Sequence, residues 1–133
     1  MSDYTPPLHD LRFLIHNVIG LQTVSDIPAF AETSPDLVDA ILEEAGKLAS
    51  GVLAPLNRIG DQEGSVLQTD GHVRTPTGWK DAYDKFCEGG WQGISAPQTE
   101  GGMGLPLLLG AAVGELWHSA NMAFALCPML TAG

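Results

Sequence analysis

Basic residues are what this sequence has least of. Six Lys and Arg stand against sixteen Asp and Glu, for a formal net charge of −10, and the six are scattered along the chain. A nucleic-acid backbone needs clustered cations, so that class of partner is excluded, and the acidity reads as a solubilising surface. Cysteine is nearly as scarce. Cys87 and Cys127 lie forty residues apart, outside any CxxC and without companion histidines. That spacing carries no metal signature and leaves open whether the two pair; a reduced, cytoplasmic setting is the simpler expectation. A signal peptide is also missing, because "MSDYTPPLHD" is acidic and polar. The longest uncharged stretch before Glu115, Gly101–Gly114, is interrupted by Pro106 and several glycines. It falls short of the roughly 18 apolar residues that suggest a membrane span. A soluble protein is expected.

What is there is a chain of 133 residues, 44% hydrophobic and 17% charged, which fits one globular domain rather than disorder. Its charge is unevenly spread. From Gly101 onward only Glu115 and His118, beside the thiol of Cys127, can titrate, while fifteen of the sixteen acids and all six bases come earlier. Chain ends are normally at the surface and polar. This closing stretch is therefore expected to be covered by further protein.

The pattern is mainly helical. "LHDLRFLIHNVIG" sets Leu8, Leu11, Ile15 and Val18 at helical spacing, beside Leu14 and Ile19, with Gly20 as the stop. After a loop, Ser34 and Pro35 form a helix start, and Leu37, Val38, Ile41, Leu42, Ala45, Leu48, Ala49, Val52 and Leu53 make one apolar stripe. Pro55 is expected to end or kink that helix. Val66–Thr69 and His72–Thr75, around Asp70-Gly71, read as a small hairpin. A short helix follows, with Trp79, Ala82, Tyr83 and Phe86 inward. Leu107 to about His118 is apolar nearly all round, and Ala120–Leu130 reads as a last helix broken near Pro128.

No catalytic motif emerges. "GMGLPL" lacks the third glycine of a dinucleotide fingerprint and is not followed by GK[ST], so it reads as a tight turn or as a backbone wall of a ligand pocket. His9, His16, His72 and His118 form no HxxxH pair. Glu115 and His118 can share a face and a hydrogen bond, but no nucleophile accompanies them. Trp79, Trp91 and Trp117 either line an acyl or aromatic site or belong to the core.

Three stretches point to a family: "LAPLNRIGDQEG", "EGGWQGISAPQTEGGMGLP" and "SANMAFALCPMLTAG". With their surroundings they resemble the N-terminal helical domain of the acyl-CoA dehydrogenases over nearly the whole chain, closest to the longer bacterial branch. The resemblance implies an enzyme of fatty acid metabolism with a middle β-domain and a C-terminal helical bundle beyond these 133 residues. It implies FAD bound between those later domains, and a glutamate there that takes the α-proton of an acyl-CoA while hydride leaves to the flavin. Neither Glu100 nor Glu115 matches that glutamate, so this chain is expected to carry no catalytic residue and to hold no flavin alone. Carried over residue by residue, Glu100, Gly101, Gly102, Met103, Gly104 and Leu105 match the loop approaching the acyl chain. Met122, Phe124, Met129 and Thr131 match the helix and turn near the pocket and the domain junction. Expected partners are acyl-CoA, the remaining domains and a second copy of the protein. Two alternatives stand beside this reading: a free-standing helical module that binds a protein through its apolar end, and a small acyl carrier.

Overall fold

The computed structural model describes residues 4–132, which are mainly helical with one small hairpin. Helix α1 (Leu8–Phe13) widens into a π-helical turn over Leu14–Ile19 and stops at Gly20, where φ is 81°. Leu11 and Ile15 are buried, but Leu14, Val18 and Ile19 face solvent. A π turn holds an extra residue, so a face counted at 3.6 residues per turn drifts through it. Helix α2 (Leu21–Ser25) and a 3-10 turn at Pro28–Phe30 lead to the central element.

Helix α3 (Pro35–Leu48) is capped by the Ser34 hydroxyl, which accepts from the Leu37 N–H at 3.2 Å. The chain does not stop at Pro55. A π-helical turn over Ala49–Leu53 carries it into α4 (Ala54–Glu63), and Pro55 follows directly on that wider turn, where the regular hydrogen-bond ladder is already interrupted. Val38, Leu42, Ala45, Ala49 and Leu53 are fully buried. They join Leu109, Ala112, Val113, Leu116 and Ala120 of α6 (Leu107–Ala120) in one core, with alanines letting the helices approach. Leu37, at the edge of the stripe, is 37% exposed.

Strands β1 (Val66–Leu67) and β2 (Val73–Arg74) pair antiparallel, Val66 with Arg74 and Leu67 with Val73, and both are exposed. The hairpin is shorter than its sequence suggests. Among its residues only Gly71 has a positive φ, so Asp70-Gly71 cannot make the two-residue turn that requires it twice. The ladder therefore opens at Gln68, whose N–H donates to the His72 carbonyl. Just beyond, the Thr77 N–H and hydroxyl donate to Glu63 at 2.8 and 3.0 Å and hold that carboxyl below the usual range.

In α5 (Trp79–Glu88), Ala82 and Phe86 point inward, whereas Tyr83 is 37% exposed. Helix α7 (Met122–Ala132) runs through Pro128 instead of breaking there. The proline removes only the bond to the carbonyl one turn back, and its ring is buried. Between α6 and α7, Asn121 is 1% exposed; its Oδ1 accepts from the Phe124 N–H, and its Nδ2 donates to the Leu53 carbonyl, both at 3.1 Å. This side chain caps α7 and pins it to the central helix.

Candidate functional site

A chain of rings leads from the core to the surface. Phe124 on α7 packs against Trp79 at 6.0 Å between centroids, Tyr83 at 6.4 Å and Phe86 at 5.8 Å. Phe86 meets Trp117 edge-on at 5.7 Å, and Trp117 meets Trp91 edge-on at 5.2 Å. Such tilted and edge-to-face pairs are the favoured arrangements of aromatic quadrupoles. Phe86, Trp117 and Trp91 form the aromatic wall of a cavity of about 600 Å³. Trp79 stands apart from it, against Gly60 of α4.

Three segments complete the cavity. Helix α6 presents Leu107, Gly110, Gly114, Trp117 and His118 along one stripe, α7 presents Ala125, Pro128, Met129 and Thr131, and the connection between α5 and α6 supplies Trp91–Ala96. No Asp, Glu, Lys or Arg lines it, and His118 is its only acid–base group among the described residues. The His118 Nδ1–H donates to the Gly114 carbonyl at 2.7 Å, so His118 does not bond Glu115, which is exposed. This local bond to the preceding turn competes successfully with the side-chain pair that the spacing suggests. The Nε2 atom of His118 is buried without a partner among the described residues. These surfaces exclude water and impose shape; they supply no paired acid and base.

The residues singled out in the sequence fall on three sides of this geometry. Met129 and Thr131 are in the wall. Phe124 is buried behind it in the ring cluster, and Met122, 55% exposed, begins α7 on the outside. Glu100 is exposed at the end of a 3-10 turn. Gly101 to Leu105 form a brace behind the lining connection. There the Met103 N–H donates to the Gly93 carbonyl, Gly104 to Ala96 and Leu105 to Ile94, at 2.9–3.0 Å. Gly102 is pressed so closely onto Ala96 that a Cβ would collide with the Ala96 carbonyl. Periodicity could not identify Gln92–Ala96, because these residues reach the cavity through irregular backbone; of the three tryptophans that the sequence offers as acyl-site or core residues, Trp91 and Trp117 are in the wall and Trp79 is not.

Neither the cavity nor the loop behind it offers a site for the diphosphate of a flavin dinucleotide. That group needs free amides or cations. The amides of Gly102, Met103, Gly104 and Leu105 are all committed to carbonyls, and no cation lines the cavity. Nor does any group of three or more His, Cys, Asp and Glu among the described residues suit a metal ion. Both cysteines are free and exposed. The Tyr83 phenol is held above its usual range, chiefly by its hydrogen bond with Cys87. None of the described helices is long and apolar enough to cross a membrane.

Over 130 residues, 98% of its length, the chain is 43% identical to 3-methylmercaptopropionyl-CoA dehydrogenase of Ruegeria pomeroyi. The chain is similar in sequence to part of an acyl-CoA dehydrogenase. A second such dehydrogenase, the broad-specificity linear acyl-CoA dehydrogenase of Mycobacterium tuberculosis, is 27% identical over 124 residues, or 92% of the chain. The matched stretches are 22% and 20% of those two proteins, so the chain spans about one fifth of the acyl-CoA dehydrogenases it resembles. No family model matches it. The mainly helical fold with a single hairpin agrees with an N-terminal helical domain of that family.

Proposed function

We propose that these residues form the N-terminal helical domain of an FAD-dependent acyl-CoA dehydrogenase and that the cavity receives part of the acyl chain. The observation that carries this reading is the aromatic, carboxylate-free cavity in a chain so similar to an enzyme named for an acyl-CoA. In this role Trp91, Trp117, Phe86 and Met129 desolvate the chain and fix its course. Binding energy from a non-reacting tail then helps place the reacting carbons elsewhere in the enzyme. The base and the flavin belong, on this reading, to protein outside these residues. Leu107 at 80% exposed, Leu130 at 73% and Met122 at 55% supply an apolar surface for the remaining domains to cover.

An antibody raised against the chain, used on extracts of its native cells, tests this directly. The expected antigen is several times heavier than these 133 residues, yellow with flavin, and reduces an electron acceptor when given an acyl-CoA. The purified 133-residue chain is expected to carry no flavin absorbance, to turn over no acyl-CoA, and to self-associate in light scattering. An antigen of the short size without turnover would overturn the enzyme reading. It would favour a helical module whose exposed leucines and methionines are covered by a separate protein.

A further inference from the structure

The α6 stripe facing the cavity contains two glycines, and they are there for different reasons. A Cβ on Gly110 would stand 2.8 Å from the Ser95 Oγ, so a side chain at that position would have to turn the Ser95 hydroxyl aside. Gly114, one turn later, has no such neighbour. Nothing lies within 4 Å of where its Cβ would be, and its backbone is helical with no positive φ. Glycine inside a helix is worse than alanine, so neither packing nor backbone conformation explains it. What its missing side chain supplies is open volume. Trp117 and His118 flank that volume, and the bond from His118 to the Gly114 carbonyl keeps the imidazole on its own turn.

We propose that Gly114 determines how long an unbranched apolar chain the cavity admits. This rests on the acyl reading above. Gly114 lines the cavity and a Cβ there meets no protein atom, so a small side chain at this position takes cavity space without a clash at its first carbon and competes with the ligand before it disturbs the fold. Long chains lose the methylenes that reach Gly114, and short chains do not reach it.

The test uses the full chain with Gly114→Leu and Gly114→Ala, titrated with short and long straight-chain acyl-CoA thioesters, free CoA being the blank. Fluorescence of Trp91 and Trp117 reports binding. The wild type is expected to hold long chains more tightly than short ones. Gly114→Leu should weaken the long chains roughly tenfold, the equivalent of about two buried methylenes, and the short ones less than about twofold. Gly114→Ala should show a smaller loss of the same selectivity, which keeps the test valid if the leucine variant fails to fold. Equal effects on all lengths, or none, would overturn the role of Gly114 while leaving the acyl reading intact. A wild-type response no greater than that to free CoA at every length would overturn both.

Discussion

Helix α6 meets two environments that its sequence barely distinguishes. Toward α3, Leu109, Ala112 and Leu116 merge into a core where Leu42 and Val38 have no exposed surface. On the opposite side Leu107, Gly110 and Gly114 look into a cavity. Both faces are apolar, and hydrophobicity itself has no direction. The difference lies in what stands across from each face: a long regular helix with a matching stripe, or an irregular connection braced from behind. A helix that is apolar all round is thus not necessarily packed all round.

The largest test of this contrast sets Leu42→Ala against Leu107→Ala. The first opens a hole in a filled core and is expected to cost about 3 kcal/mol in urea unfolding, whereas the second trims an exposed side chain for less than about 0.5 kcal/mol. Similar losses for both would break the comparison. Next comes the pin between the two regions. Asn121→Ala removes the cap on Phe124 and the donor to the Leu53 carbonyl in a buried site, and should cost about 2 kcal/mol. Asn121→Ser keeps an oxygen for the cap and should recover part of it; no recovery would assign the whole effect to the Leu53 bond. Smaller still is Gly102→Ala, which forces the brace away from Ala96 at about 1–2 kcal/mol. Its distinguishing readout is Trp91 fluorescence, since the displaced brace supports the cavity wall and not the core.

The packed face was far more legible in the sequence than the hollow one. Val38, Leu42 and Ala45 announce themselves because 3.6-residue spacing converts directly into a buried stripe, and their i+4 steps continue to Ala49 and Leu53 where the helix widens. The π-helical turns blurred that rule at Leu14–Ile19. Proline's effect depends on its place: Pro55 follows a π-helical turn without ending the helix, and Pro128 misled because its ring is buried in a cavity wall. At the site, Met129 and Thr131 came from the family's motif, not from any spacing. Trp91, Ile94 and Ser95 had no periodic signal at all, because hydrogen bonds from Met103 to Leu105 hold their connection in place.

The smallest expected effect lies away from both faces of α6, where Glu63 ties the end of α4 to the start of α5. Two donors from Thr77 stabilise its ionised form, so its folded pKa lies below the ordinary glutamate value of 4.5. A depressed carboxylate pKa contributes stability that is complete above that ordinary value and is lost as pH falls through the folded one. Glu63→Gln replaces the charge-assisted acceptor with a neutral one. Urea midpoints of wild type and Glu63→Gln should therefore differ slightly near neutral pH and converge as the solution is acidified below the glutamate range. Because the group is solvated, the gap should also narrow with added salt. A gap that widened on acidification would mean that Thr77 stabilises the protonated carboxyl instead, and the sign of this contact would have to be reversed.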